Sequence, residues 1–484
     1  MAFLLILVPA LLAGLAMIVR SNQARPWLLP LGASLHLAGV FWLLAAPTGD
    51  WDARLWLAPD PPGRLVLLLL TVLFFICAWY TVGYLRHRPE RPNRVFCACL
   101  LAVLSTTTLA TCSQHLGVMW VAIEGTTLAT APLIYFNRTQ RSIEATWKYL
   151  LIGSVGVALS LLGSFFLAYA MVGHSPQPTL FLGNGTGPDD LLSQAHNLSL
   201  PWLQAAFVLL LVGYGTKMGM APMHSWKPDA YGEAPGVVGA LLAGGLTSCA
   251  FLILLRVHHV CAVAGISGYV DGLLVVMGLL SMAVAGVFMV SQRDFKRMLA
   301  YSSVEHMGIL ALGLGLGGAA IYGVLLHVLN NGITKGVLFL SAGNIHRAYG
   351  DKTTDVVRGA WRRLPLSGTL FLLGFFAITG SPPFGPFVSE FKILNAAIAD
   401  RRYVVAGLFL LLLFIVFMGM GRTVLAVVQG RAPTAVRRTP YRDGLLTVLP
   451  IMLAAAIMLL PGVYIPAPLD RMLQEAVRFL EVRP

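Results

Sequence analysis

Charged side chains are scarce in this sequence. Only 11% of its 484 residues are Asp, Glu, Lys or Arg, whereas a soluble domain carries about a quarter. Apolar residues make up 57%, and the mean hydropathy is +0.76; together these values exclude a soluble globular enzyme. A net charge of +13 on a soluble protein would suggest binding to nucleic acid. On a membrane protein it instead indicates topology, so we expect no nucleic-acid partner.

Cysteine is also rare, and the motifs of common catalytic centres are missing. The sequence has no CxxC pair with a set of His partners, no P-loop, no HExxH and no Ser-His-Asp order. We therefore predict neither a disulfide framework nor a metal site, and we expect no cofactor and no catalytic centre. The cysteines all lie in or at the ends of apolar segments, where they act as small apolar side chains: Cys77, Cys97, Cys99, Cys112, Cys249 and Cys261.

Long apolar runs fill most of the sequence. A spanning helix needs about 20 apolar residues, because no unpaired backbone group can face lipid. No basic residue precedes the first run and many runs follow it, so we interpret it as a first helix rather than a cleaved signal. The sequence predicts an all-α polytopic membrane protein with about fourteen transmembrane helices, at residues 2–20, 27–46, 64–86, 94–113, 117–136, 147–172, 202–224, 236–260, 270–291, 298–316, 319–345, 366–397, 403–428 and 444–464.

Lys and Arg are distributed unevenly between the predicted loops. Loops after odd-numbered spans, with their edges, hold 22 of these residues, and Lys227 and Lys296 are among them. Since basic residues mark the cytoplasmic side, both termini are predicted to lie outside, in the periplasm, with the protein in a bacterial inner membrane. Loops after even-numbered spans hold only five: Arg54, Arg64, Arg256, Arg401 and Arg402.

Two segments are predicted to lie at the outer surface. The polar insert at about 173–201 is rich in Gly, Pro and Asn, which predicts an irregular loop. In the tail, residues 468–483, apolar side chains alternate with charges at helical spacing. This pattern predicts an amphipathic helix along the membrane edge, and a partner-binding helix is the alternative.

Ionisable side chains also occur inside the predicted spans, where each one costs about 2.5–3.5 kcal/mol. Neighbouring acids and bases can make each other's titration respond to geometry, which is what a proton relay requires. We predict such a relay; a structural network of ion pairs is the alternative, and a single buried His can simply be hydrogen-bonded to a neighbouring helix. The predicted relay consists of Glu124, Lys217, Glu305, His306, His327, Lys335 and Glu390.

One face of the eleventh span carries a row of polar residues. His327, Asn331 and Lys335 are each four residues apart, so they lie along one face over roughly two turns. This spacing favours a proton path, although helix packing alone can also produce a polar stripe.

Two predicted spans are interrupted by proline close to a charge. Pro222 follows Lys217 in span seven, and Pro382 and Pro383 precede Glu390 in span twelve. Interrupted backbone is tolerated at membrane depth only beside protein or water. Breaks at corresponding points of two halves indicate a transport path built from repeats, and their separation by five spans predicts that the two copies are inverted.

Four stretches of the sequence resemble a known family. They are GYGTKMGMAPMHSWKPDAYGEAP, YSSVEHMGIL, NNGITKGVLFLSAGNI and GSPPFGPFVSEF, and they are similar to the antiporter-like proton-channel subunits of complex I and of membrane-bound hydrogenases of the hydrogenase-4 type. The resemblance covers roughly residues 95–430. It implies two inverted five-helix repeats, each forming a half-channel, at 94–262 and 263–430, with helices 1–3 at 1–93 and the last helix and tail at 431–484.

The resemblance also implies roles for single residues. Glu124 and Lys217 resemble the family's glutamate and lysine pair in the first half. In the second half, Lys335 resembles the lysine or histidine position and Glu390 the outlet residue. His327 matches the first histidine of the family's pattern in span eleven.

The sequence departs from the family at two places. Asn331 occupies a position often held by His, and span eight lacks the central Lys or His of several relatives. The middle of the path is therefore expected to use water or the adjacent Glu305 and His306.

Together these features predict a proton-translocating membrane subunit of a larger redox complex, of the hydrogenase, formate hydrogenlyase or NADH-quinone oxidoreductase type. Electron transfer would occur in partner chains, namely other membrane subunits and a peripheral redox arm. Glu124 would tune Lys217, and Glu390 would gate the exit. The alternatives are a stand-alone or Mrp-type antiporter that exchanges Na⁺ for protons, and a structural anchor for a peripheral enzyme.

Overall fold

The computed structural model describes residues 1–45, 56–174, 178–185, 187, 190–431 and 440–481. Some sequence predictions fall outside these ranges. They concern the last residue of span two, the loop charge Arg54, residues 175–177, 186 and 188–189 of the polar insert, the charges Arg437 and Arg438 that were predicted to be cytoplasmic, and the last two residues of the tail.

Helices occupy all fourteen predicted spans within the described residues, and regular β-strands are absent from that part of the chain. The all-α architecture is thus confirmed. The principal helices are α1 Ala2–Ile18, α2 Leu28–Ala45, α3 Pro61–Arg86, α4 Arg94–Cys112, α5 Leu116–Ile134, α6 Gln140–Tyr169, α7 Leu200–Met218, α8 Trp226–Glu233, α9 Gly236–Val263, α10 Ser267–Val290, α11 Phe295–Leu316, α12 Ala320–Tyr349, α13 Pro365–Ile378, α14 Gly385–Ala399, α15 Tyr403–Val428, α16 Leu445–Val463 and α17 Ala467–Leu480.

Among the described residues, eleven helices are long and apolar enough to cross a membrane by themselves. The other three predicted spans correspond to α1, to α7 and to the pair α13 and α14. Of these, α1 and α13 are shorter apolar helices, whereas α7 carries Lys217 near its end. A total of fourteen crossings and the inverted repeats therefore remain predictions.

The first predicted break lies between α7 and α8. The apolar pattern predicts that span seven continues to residue 224. In the structure α7 ends at Met218, because Gly219 adopts a left-handed φ of +71°, a conformation that glycine adopts at little cost. The Trp226 indole then donates a hydrogen bond of 2.9 Å to the Thr216 carbonyl. The Thr216 carbonyl, which also accepts from the Gly219 N–H, is thus fully bonded inside the protein, as membrane depth requires.

The second predicted break divides span twelve into two helices. α13 ends at Ile378 and α14 begins at Gly385. Between them lie Pro382 and Pro383, together with Gly380 at a φ of +65°. Both interruptions predicted from proline and glycine are therefore present.

The centre of the molecule is formed by α9 and α12, whose most apolar segments are completely buried. The two helices approach closely where α9 contains the π-helical turn Leu241–Leu246. A Cβ on Gly244 would lie only 2.7 Å from the Gly332 carbonyl oxygen of α12, so glycine permits this packing. The polar row on α12 consequently lies in the protein interior and not against lipid.

The tail forms the predicted amphipathic helix, α17. Leu473 and Ala476 on its apolar face are buried. On its polar face, Asp470 accepts a hydrogen bond of 2.6 Å from the Tyr322 hydroxyl near the start of α12. The tail thus packs onto the helix that carries the polar row.

The structure also contains a buried ion pair that the sequence did not predict. Arg256, assigned from the sequence to an outer loop, lies within α9 and is paired with Asp60 through two hydrogen bonds of 2.6 and 2.9 Å. Both side chains are 2% exposed. The guanidinium also donates to the carbonyls of Thr111 and Ser113, so α9 is tied to the start of α3 and to the end of α4.

Replacing Asp60 with Asn is expected to destabilise the protein by about 3–5 kcal/mol, because it leaves a buried guanidinium without its counter-charge. Thermal unfolding of the purified protein in detergent or nanodiscs would measure the loss. The exposed pair Arg293–Asp355 provides a control, since Asp355→Asn should change stability by less than about 1 kcal/mol. Equal stability of the two variants would show that the buried pair is not structural.

Candidate functional site

Lys217 lies in the last turn of α7, where a positive charge suits the carbonyl end of the helix. Its side chain is only 1% exposed. The ammonium donates a hydrogen bond of 2.5 Å to Thr127 Oγ1 on α5 and lies 4.0 Å from Glu124 Oε2. It also lies 5.7 Å from the ring centre of Tyr149 on α6. The predicted pair of the first half is therefore present as a loose ion pair.

The space around this ammonium depends on a glycine. A Cβ on Gly153 of α6 would lie 2.9 Å from Lys217 Nζ, so any larger residue would force the ammonium to move. Glu124 is one-quarter exposed at the side of the protein, where a partner or lipid can alter its surroundings. We call Glu124, Thr127, Tyr149, Gly153 and Lys217 the first cluster.

Lys335 lies in the middle of α12 and is completely buried. Its ammonium donates a hydrogen bond of 2.7 Å to Ser302 Oγ on α11. Its charge also interacts with the buried carboxyl group of Glu305, one turn further along α11. Asn331, one turn before Lys335, is buried as well, and neither of its side-chain polar atoms has a hydrogen-bond partner among the described residues.

His306 and His327 are in direct contact. His306 Nδ1 lies 3.0 Å from His327 Nε2, and His327 Nδ1 lies 2.9 Å from Ser389 Oγ on α14. The Ser389 hydroxyl also lies within hydrogen-bond distance of the Pro386 carbonyl. Its one proton can bond either that carbonyl or His327 Nδ1, so these contacts are compatible with more than one tautomer of each histidine.

The second nitrogen of His306 lies close to Glu305. His306 Nε2 has no well-formed hydrogen bond, and it lies 3.8 Å from Glu305 Oε2, which is also unpaired in the described chain. A protonated Glu305 could donate across this gap after a small movement. The two histidines and Glu305 therefore form an ordered row of groups that can each gain and lose a proton.

Glu390 follows the break in span twelve and is buried at the start of α14. A Cβ on Gly380 would overlap Glu390 Oε2, so the carboxylate occupies space that exists only because residue 380 is glycine. Ligand atoms of Glu390, His306 and His327 all lie within 4.8 Å of one another. This donor set is of a kind that can hold a transition metal, and the absence of a metal site remains a prediction.

Four of the predicted relay residues each have a buried polar atom without a hydrogen-bond partner in the described chain. Buried polar atoms in proteins normally have a protein or water partner, so the interior here is suited to water molecules or to rearrangement. Among the described residues, the buried relay atoms without a hydrogen-bond partner are Glu124 Oε2, Glu305 Oε2, His306 Nε2 and Glu390 Oε1.

The structure therefore divides the predicted relay into two groups. Lys217 and Glu124 belong to the first cluster. We call Ser302, Glu305, His306, His327, Lys335 and Glu390 the second cluster. Among the described residues no hydrogen bond or ion pair joins the ammonium of Lys217 directly to the second cluster.

Comparison with known proteins identifies the family. Residues 113–418 match the family described as NADH:quinone oxidoreductase/Mrp antiporter, TM. The chain belongs to this family. A hydrogenase-4 component F homolog from Methylacidiphilum infernorum is 33% identical over 472 residues, which cover 93% of each chain. NADH-quinone oxidoreductase subunit 14 from Thermus thermophilus is 30% identical, covering 82% of this chain and 85% of the relative.

Solved structures show the same fold. A chain of respiratory complex I from Thermus thermophilus with bound aureothin matches with a TM-score of 0.79 at 25% identity, covering 96% of this chain and 97% of that chain. A chain of an archaeal membrane-bound sulfane sulfur reductase matches with a TM-score of 0.83 at 22% identity, covering 99% and 97%. The predicted family and the polytopic membrane fold are confirmed, whereas the roles of the relay residues remain predictions.

Sequence reasoning missed one buried member of this neighbourhood. Lys227 was counted as a charge in a cytoplasmic loop, but in this member of the family it lies on α8 and its side chain is completely buried. Lys296, also counted as a loop charge, is buried in the first turn of α11. The signal available for Lys227 was its place in the SWKPDA segment, close behind the interrupted end of α7.

Proposed function

We propose that this chain is a proton-translocating membrane subunit of a multi-subunit redox complex, of the hydrogenase, formate hydrogenlyase or NADH-quinone oxidoreductase type. The observation that carries the proposal is the pair of buried clusters of acids, lysines and histidines, each beside an interrupted helix. Buried charges are too costly in a membrane to be kept without a partner or a function. The relatives are named as components of redox enzymes, which supports the same assignment.

In the proposed path the first cluster takes up a proton at Lys217, and Glu124 tunes the charge of that lysine. The proton then passes through the second cluster by way of Lys335, Glu305 and the histidine pair. Glu390 controls release to the outside. A change of charge at one pair would alter the protonation of the next pair, with a coupling free energy typically of about 1–3 kcal/mol.

The proposed partners are other membrane subunits and a peripheral redox arm that carries the redox cofactors. We place the chain in a bacterial inner membrane with both termini in the periplasm, as the uneven distribution of Lys and Arg between loops suggests. The one-quarter exposed Glu124 lies where a neighbouring subunit could change its surroundings, which supports a role in coupling.

A second candidate function is cation/proton exchange of the Mrp type. It is favoured by 30% identity over 353 residues to one of the Na(+)/H(+) antiporter subunits of Alkalihalophilus pseudofirmus, a match that covers 70% of this chain and 42% of that relative. The buried lysines argue against a Na⁺ path, since their positive charges would repel the cation.

Reconstitution of the whole complex into liposomes separates these candidates. We expect proton uptake that requires an electron donor and is unchanged when Na⁺ is replaced by choline; a pH-sensitive dye and radioactive Na⁺ flux would measure both. Na⁺ exchange without an electron donor would support the antiporter instead. A structural anchor would keep full proton transport in a chain carrying Lys217→Met, Lys335→Met and Glu390→Gln together.

A further inference from the structure

The region between the two clusters lacks an ionisable group on the helix expected to supply one. From Gly236 to Leu255, α9 contains no Lys, His, Asp or Glu, although it passes through the centre of the molecule. A proton that leaves Lys217 must nevertheless reach Lys335. A buried group on a neighbouring element that faces both clusters would fill this gap.

Lys227 is such a group. Its ammonium donates to the Met218 carbonyl at 2.5 Å and to the Ser303 carbonyl at 3.2 Å. Met218 is the residue after Lys217, and Ser303 is the residue after Ser302, the acceptor of the Lys335 hydrogen bond. One side chain thus contacts the backbone of both clusters.

The break after α7 provides the space for this side chain. A Cβ on Gly219 would lie 2.5 Å from Lys227 Cδ and 3.1 Å from Nζ. The left-handed glycine that ends α7 therefore also leaves room for Lys227. The ammonium lies 5.7 Å from the ring centre of Tyr231 on the same helix.

The charge environment of Lys227 is unusual for a buried lysine. In the described chain no carboxylate lies within ion-pair distance of it, whereas Lys352 and Lys148 on the cytoplasmic side each pair with acids. Its charge interacts instead with the charge of Lys335 and with His306. Two nearby buried lysines are not easily charged at the same time, because like charges repel each other. Protonation of Lys227 therefore opposes protonation of Lys335.

We propose that Lys227 is the proton carrier that links the first cluster to the second, in place of an ionisable residue on α9. This inference rests on the proposed function. In the transfer step, the Lys227 ammonium loses one proton and the neutral amine of Lys335 gains one, by way of hydroxyl groups or water. The total charge of the pair stays constant, which avoids placing two buried ammonium groups side by side.

The competing role for Lys227 is purely structural, because an ammonium also caps the carbonyl end of α7. Three substitutions separate the two roles. Lys227→Gln keeps a hydrogen-bond donor but cannot carry a proton, and Lys227→Arg keeps donors and charge but does not release its proton. Lys227→His can carry a proton, but it releases it more readily than lysine.

The experiment measures donor-driven proton uptake and assembly of the complete complex in membrane vesicles. We expect Lys227→Gln and Lys227→Arg to assemble and to lower proton uptake at least tenfold. Lys227→His should restore part of the uptake with an optimum at lower pH, a shift that loss of a helix cap alone would not cause. Lys296→Gln is the matched control, since Lys296 is equally buried and also donates to two carbonyls, those of Gly232 and Ala234.

Wild-type uptake in Lys227→Arg, or in an assembled Lys227→Gln, would overturn the inference and leave Lys227 as a cap. A tenfold loss in Lys296→Gln as large as that in Lys227→Gln would also overturn it, because any buried lysine of this region would then behave alike. If the proposed function itself is wrong, Lys217→Ala will also retain proton uptake, and this result distinguishes the two failures. If Lys227→Gln fails to assemble, the proton uptake of Lys227→Arg and Lys227→His decides between the two roles of Lys227.

Discussion

Replacing Lys217 with Ala is expected to abolish proton translocation while the complex still assembles. The substitution removes the ammonium that lies between Glu124 and Thr127, and with it the first group that can take up a proton inside the membrane. Alanine is a good helix former, and Lys217 lies in the last turn of α7, so the helix should persist. Donor-driven quenching of a pH-sensitive dye in inside-out vesicles would fall to the level of uncoupled membranes.

Two further variants test the origin of that loss. Lys392→Ala removes a lysine from α14 whose side chain is exposed and lies over Tyr322, and it should transport protons normally. Thr127→Val removes only the acceptor of the Lys217 hydrogen bond and should reduce the rate without abolishing it. Proton uptake by Lys217→Ala at the wild-type rate would refute a role for Lys217 in the path.

The helices could be predicted from sequence because lipid imposes one simple rule. A backbone without water must form its own hydrogen bonds, so each long apolar run has to be a helix, and the structure has a helix at each of them. The ends were less predictable. Span seven was carried to residue 224, because the apolar pattern continues through Met220, Ala221 and Pro222, whereas the left-handed Gly219 ends α7 after Met218.

The predicted relay residues were identified from the free energy that is needed to place an ionisable side chain inside the membrane. An acid or an amine within an apolar run is expensive, and six of the seven relay residues are buried while Glu124 is partly so. Their grouping into two clusters did not follow from the sequence, because contacts such as that of His306 with His327 depend on how α11 packs against α12. Spacing along α12 alone could place His327 and Lys335 on one face but could not supply their partners.

The residues that were missed share a common feature: their burial comes from packing and not from local hydropathy. Lys227 lies in a polar segment of sequence, and it is buried because its side chain packs against the end of α7 and against α11. Asp60 and Arg256 are 196 residues apart, a separation at which no periodicity pairs two charges. Counting basic residues by loop therefore assigned both Lys227 and Arg256 to solvent.

Replacing Glu390 with Gln is expected to lower proton translocation at least tenfold in a normally assembled complex. The amide has nearly the shape of the carboxyl group and still fits beside Gly380, but it cannot be protonated and deprotonated. The proton would then reach the histidine pair without the neighbouring carboxylate that accepts it in the proposed path. The same vesicle assay measures the loss, and Glu144→Gln, at an exposed acid of α6, is the control.

Gly380→Ala provides a second test of the same outlet, because it keeps the carboxyl group of Glu390, although the alanine must also adopt the left-handed φ of +65° at this position. The added Cβ would overlap Glu390 Oε2, so the carboxylate must move away from its position near His306 and His327. If proton release depends on that position, Gly380→Ala should slow translocation although the carboxyl group is still present. Wild-type translocation in both Gly380→Ala and Glu390→Gln would place the exit elsewhere.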